Sequence, residues 1–142
     1  MSAIELRIVD RSAINALARL QATAPSAVSR GLLRFGLAVG SAVASRAPRK
    51  SRRLARSFLT PQLSGNTVLL GRGVPIYGAI HEYGGDIVPR NGDYLTFQVG
   101  GQWVRTKKVH IREKRYARGG IAATASRGPA IIGAEIAKGF AV

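Results

Sequence analysis

The sequence predicts an α+β fold: a long N-terminal helix and a C-terminal helix packed on a small, mostly antiparallel sheet of hairpins. Three observations predict it. Val28, Leu32, Phe35, Val39 and Val43 recur at intervals of four, three, four and four, which puts all five on one helical face. Leu95, Phe97 and Val99 alternate with Thr96 and Gln98, and Gly100-Gly101 then leads into Gln102-Trp103-Val104-Arg105-Thr106, the pattern of a glycine-turned hairpin. Gly119 to Phe140 carries Ile121, Ile131, Ile132, Ile136 and many alanines but is interrupted by Gly128-Pro129, which reads as a broken or late-starting helix. The 142 residues have the size of one domain, helical over about 10–47, β-rich over about 54–108 and helical again over about 117–140.

Taken in order, Ile4, Leu6 and Ile8 alternate with Glu5, Arg7 and Val9 and suggest a short opening strand. Asp10 or Ser12 then caps a first helix carrying Ile14, Leu17 and Leu20, because a side-chain oxygen there accepts from an otherwise unpaired amide. The second and longer helix starts at Pro25 and ends before Pro48, since the residue before a proline is pushed away from helical angles. Gly31, Gly36 and Gly40 each lower its intrinsic helicity by about 1 kcal/mol relative to Ala. It therefore depends on packing against a sheet or a neighbouring subunit. Ser57 to Leu63 and Thr67 to Leu70, separated by Ser64-Gly65-Asn66, predict a first hairpin with Pro61 at an edge or bulge. Residues 75–85 read as a short helix opened by Pro75 and stopped by Gly84-Gly85.

Charge is the dominant compositional fact: 22 Lys and Arg against 7 Asp and Glu give a formal charge of +15. Such an excess is an electrostatic footprint for nucleic acid, phospholipid or an acidic protein surface, or else solvated charge that keeps subunits apart. The basic residues gather at Arg46 to Arg56 and Arg105 to Arg118. With 46% apolar residues, a folded domain with charged edges is expected, not a disordered basic tail. The chain has no Cys and only two histidines, His81 and His110, which excludes thiolate sites and a multi-histidine metal centre within one subunit. The start lacks the basic residues and apolar run of a secretory signal, and no stretch approaches the roughly 20 apolar residues of a membrane span. A soluble protein made in the cytoplasm, with no membrane partner, is the expectation.

Chemistry is hard to place. General acid–base catalysis needs a titratable pair in hydrogen-bonding reach, and only His81, Glu82 and Asp86 are gathered in sequence. His81 and Glu82 are adjacent and point apart, by about 100° on a helix. No nucleophile elbow, phosphate-cradling glycine loop with its lysine, or zinc motif occurs. No catalytic residue, metal ligand or cofactor is expected. Trp103 and Tyr116 lie among basic residues as base-stacking platforms do, but Trp103 belongs to a strand and reads as core or interface.

Three stretches together resemble one family. Arg46-Ala47-Pro48-Arg49-Lys50-Ser51-Arg52-Arg53-Leu54-Ala55-Arg56-Ser57 is similar to a helix ending in Arg-Ala-Pro followed by Asp-Thr-Gly-Arg-Leu-Arg-Ser. Tyr77-Gly78-Ala79-Ile80-His81-Glu82-Tyr83-Gly84-Gly85, with the loop to Arg90, resembles Tyr-Ala-x-x-His-Glu-Phe-Gly-Gly. Lys108-Val109-His110-Ile111 leading to Arg115-Tyr116 resembles Val-x-Ile-Pro-Ala-Arg-Pro-Phe before a C-terminal helix. The family is the phage tail-component or tail-completion group, gp-ten-like, of long-tailed bacteriophages. The stretches fall in the family's order between about Glu5 and Phe140. Two departures stand out: Lys50-Ser51-Arg52 replaces the Asp-Thr-Gly turn, and Arg112-Glu113-Lys114 replaces the Pro-Ala lead-in.

The resemblance implies a structural virion protein, not an enzyme, working as a ring of copies at the head–tail junction. A sixfold homo-oligomer touching neighbouring neck and tail proteins is the expectation, with nonspecific contact to phage DNA or an acidic ring through Arg49, Lys50, Arg52, Arg53 and Arg56. A basic, sequence-independent DNA-binding protein of packaging is the alternative. His81 and Glu82 then serve as structural hydrogen-bonding groups and Gly84 and Gly85 as turn residues. The long helix and the hairpin bearing Trp103 and Val104 are expected to form the subunit interface.

Overall fold

One continuous helix, α1 (Arg11–Arg46), runs through the segment where the sequence predicts two. The computed structural model describes residues 11–49 and 52–141; the expected opening strand at Ile4 to Ile8 and the Asp10 cap lie outside them. Pro25 sits inside α1, where its ring removes one backbone bond. It is exposed, so the ring meets solvent and not a packed neighbour. Thr23 and Ser26 donate their hydroxyls to the Arg19 and Thr23 carbonyls, both at 2.8 Å, adding bonds around the turn where proline takes one away. At the far end the Arg46 guanidinium donates to the Ala42 carbonyl at 2.9 Å, and cationic donors near a helix C-terminus suit its dipole.

After Pro48 the chain forms a single turn, α2 (Arg53–Arg56), that buries Leu54. The predicted strand from Ser57 is shorter than expected. The Ser57, Phe58 and Leu59 amides bond back to Arg53, Ala55 and Arg56, so these residues are already satisfied as turns. Only β1 (Gln62–Ser64) pairs with β2 (Thr67–Leu69), and Gly65 at φ 57° opens the two-residue turn between them. α3 (Gly78–Tyr83) follows as expected, stopped by Gly84 at φ 72°.

β3 (Gly85–Ile87) pairs with β6 (Val109–Ile111), which brackets the predicted hairpin of β4 (Leu95–Val99) and β5 (Gln102–Thr106). Gly100 and Gly101 both have positive φ, 59° and 83°, as the tight hairpin turn demands. The C-terminal region is two helices, α4 (Tyr116–Thr124) and α5 (Gly128–Phe140), joined by a short 3-10 turn, with Pro129 in the first turn of α5 where its missing N–H is harmless.

The architecture is α+β, with every strand pair antiparallel. The strands form three separate two-stranded sheets, not one. α1 packs chiefly along α5 and α4, and the core gathers where Val39, Val43 and Ala47 meet Leu54 and Tyr116. Of the predicted apolar stripe, Val39 and Val43 are buried and Val28, Leu32 and Phe35 half-buried. The helix glycines meet this chain's own elements: a Cβ on Gly31 would lie 3.0 Å from the Ile132 Cα of α5, and one on Gly40 would strike the Phe58 carbonyl. The helix thus packs against other elements of its own chain, α5 at Gly31 and the segment around Phe58 and Val68 at Gly40 and Gly36. On α5, buried Glu135 accepts from Arg34 at 2.9 Å and Lys138 at 2.8 Å, with Arg30 at 3.8 Å, and so ties α5 to α1. The Lys138 ammonium, more than the two arginines, holds its carboxyl below the usual range.

Contrary to expectation, the Gln21–Arg46 stretch of α1 is long and apolar enough to cross a membrane by length and composition. Its buried face is turned to α4 and α5. The β4–β5 hairpin stands apart: the two strands pack on each other, and no other described element makes more than marginal contact with them.

Candidate functional site

Arg49, Arg52, Arg53 and Arg56 are all exposed, while Lys50 lies outside the described residues. Three of them converge. Arg49, Arg52 and Arg56 line a cleft of about 370 Å³ whose remaining wall is Ala44, Ala55 and Leu59; Arg53 is not part of it. Among the described residues none of these arginines has a carboxylate partner; the ion pairs of Glu82, Asp86, Glu113 and Glu135 are all made with other cations. Arg52 is also held at φ 54°, ψ −5°, a left-handed conformation costing an L-residue about 1–2 kcal/mol. Clustered, unneutralised guanidiniums over an apolar wall can take phosphate or carboxylate oxygens in bidentate fashion.

The His81 to Gly85 segment is a clasp. Buried Glu82 accepts from the Ala117 amide at 2.8 Å, the Arg118 amide at 3.1 Å and Arg118 Nε at 2.8 Å. It thereby caps the first turn of α4 from another element, satisfying amides that have no partner within the helix. Its carbonyl accepts from the Arg115 amide and the Arg118 guanidinium, and the His81 carbonyl accepts from the Lys114 amide. Gly84 lies so close to the Glu113 amide that a Cβ would come within 2.7 Å, and Gly85 at φ 139° starts the pairing with Ile111. Burial would raise the Glu82 pKa, but the Arg118 side chain and the two amides outweigh it and hold the carboxyl below its ordinary value. Asp86 is bonded to His110 at 2.7 Å and Lys108 at 3.1 Å across the β3–β6 pair. The three titratable residues that adjoin in sequence thus serve separate contacts.

The His81 ring is edge-on to Tyr77 at 6.1 Å, and its Nδ1 is buried without a hydrogen-bond partner. Burial first, and then the Lys114 charge, lower its pKa from 6.5. The folded state therefore keeps the imidazole neutral at a pH where the unfolded chain already binds a proton. Stability should fall as pH drops from about 6.5 toward the depressed folded value and level off below it. Denaturant midpoints across that range test this: His81→Phe should flatten the step, and an undiminished step in the variant assigns it to another group.

Trp103 is 72% exposed, so of the two readings, core or interface, the core one falls. It pairs with Gln98 while Val104 pairs with Phe97, so Trp103 and Val104 lie on opposite faces of the hairpin and cannot share one flat interface. Tyr116, the other candidate stacking residue, is buried; its hydroxyl donates to the Gly78 carbonyl at 3.1 Å and its ring meets Phe58 edge-on. Sequence reasoning missed Tyr94, whose ring carries Arg105 at 4.2 Å and Lys107 at 5.8 Å. It also missed an open apolar groove of about 400 Å³ lined by Phe35, Gly36, Val39, Val68, Leu70, Ile121 and Ala125. The first follows only from the register of the β4–β5 hairpin, and the groove assembles from distant elements, so neither has a local sequence signal. Among the described residues no group of three or more His, Asp or Glu could hold a metal ion. Comparison with protein-family models, with curated proteins and with solved structures finds no match to this chain.

Proposed function

We propose that this chain is a non-enzymatic structural subunit of a tailed-phage virion, one copy of a closed ring at the neck or upper tail where capsid and tail join. The observation that carries the multi-copy reading is apolar surface left uncovered. Ile76, Trp103, Tyr83 and Val99 are each more than half exposed, and two-stranded hairpins are marginal in water without something to pack on. The order of the three motif stretches supports placing the chain in the tail-completion group. Engagement of Glu82 and Asp86 in structural contacts supports a role without catalysis or cofactor.

On this reading the protein is made in the host cytoplasm and resides in the virion. Its partners are copies of itself, in a ring of expected sixfold symmetry, and the neighbouring neck and tail proteins. Light scattering and negative-stain imaging of the purified chain should give a discrete multiple of 15.1 kDa and a ring. Antibody labelling should mark the head–tail junction. A monomer absent from virions overturns the reading. The arginine cleft favours a second one, a basic packaging-associated protein that binds DNA without regard to sequence.

A further inference from the structure

We infer that the tip of the β4–β5 hairpin of one copy seats end-on in the apolar groove of the next copy. The inference rests on the multi-copy reading above and specifies its contact. The hairpin stands off its own body, with no more than marginal contact to any other described element, and its tip is bare. Its register places Leu95, Phe97, Val99 and Val104 on one face and Trp103 on the other. At the tip, Val99 is 58% and Trp103 72% exposed. A flat contact would cover one of them; insertion into a groove covers both.

The groove offers three apolar walls. Phe35 and Val39 come from α1, Val68 and Leu70 from β2 and its end, and Ile121 and Ala125 from α4 and the turn after it. Its volume of about 400 Å³ suits a few side chains, not a whole domain.

Charge decides the occupant. Copies of a +15 chain repel wherever their cationic faces meet, so contact is favoured between uncharged patches. Residues 94–104 contain no charged side chain, and neither does the groove lining. Hairpin tip and groove are thus both apolar and both free of charge on the same chain. Tip on one side and groove on the other make a head-to-tail interface, the kind that closes into a ring.

The chain has no cysteine and one tryptophan, which makes the test clean. The double variant Val99→Cys, Ala125→Cys, treated with a short bis-maleimide, should give a covalent ladder of dimers, trimers and higher species on denaturing gels, while neither single variant does. Trp103 emission should shift to shorter wavelength as protein concentration rises through assembly, and Trp103→Ala should weaken association by about 30-fold or more. An assembled protein that gives no ladder, or whose Trp103 emission stays that of an exposed indole, overturns this contact and leaves the ring standing. Dimers formed by Val99→Cys alone mean that tips meet tips, which also overturns it. A wild-type protein that stays monomeric by light scattering defeats the multi-copy reading itself.

Discussion

Replacing Glu82 by Ala should lower the thermal midpoint by roughly 10 °C. The side chain is 5% exposed and accepts three hydrogen bonds from α4. Losing an N-terminal cap costs about 1 kcal/mol, and stranding partly buried donors adds about 1–3 kcal/mol. Arg118 remains partly solvated and adds little. A total near 3 kcal/mol, at about 3 °C per kcal/mol for a chain of this length, gives the expected shift. Glu82→Gln keeps one acceptor oxygen and should lose about half as much.

The pH dependence follows from the lowered carboxyl pKa: the stabilisation is fully present above the ordinary value of 4.5 and is lost as pH falls through the lower folded value. Asp86, lowered first by His110 and then by Lys108, and Glu135 lose theirs in the same acid range. The telling quantity is therefore the gap between wild type and Glu82→Gln, which should close as acid is added. Thermal circular dichroism checks both parts. An Ala variant melting within about 2 °C of wild type would show that the carboxylate does not hold α4.

What the sequence could disclose divides along physical lines. The α1 stripe and the β4–β5 hairpin were legible because each obeys a local period, 3.6 or 2, over enough residues to stand out. The continuity of α1 was not, since a mid-segment proline normally signals a start, and only its exposed position makes Pro25 tolerable inside the helix. β3 and β6 are three residues each, and their pairing sets Asp86 against His110, so a polar ladder hid among basic residues. The Glu82 clasp joins residues 35 positions apart, beyond any local pattern. The basic cluster was visible as composition, but which three of its arginines line a common cleft depends on how α1, Pro48 and α2 turn the chain.

Converting Arg49, Arg52 and Arg56 to Gln should lower the slope of log affinity against log salt for duplex DNA by about 2 to 3, since each phosphate contact contributes about 0.9. Affinity at low salt should fall more than tenfold while the fold survives, because all three side chains are exposed and none has an ion-pair partner among the described residues. Arg112 and Arg127, also exposed, serve as the control pair: if binding follows total charge alone, their change to Gln lowers the slope in proportion, and the cleft has no special standing. Arg52→Gly separates charge from backbone. Gly adopts the left-handed conformation freely, so this variant should gain about 1 kcal/mol of stability and still bind DNA more weakly. That opposition would mean that Arg52 is kept where Gly fits better because its charge is used. If DNA binding is unchanged but, on the ring reading proposed above, docking of a neighbouring protein fails, the cleft faces carboxylates on that protein. Unchanged DNA binding, docking and infectivity together would make the three arginines solvated charge and nothing more.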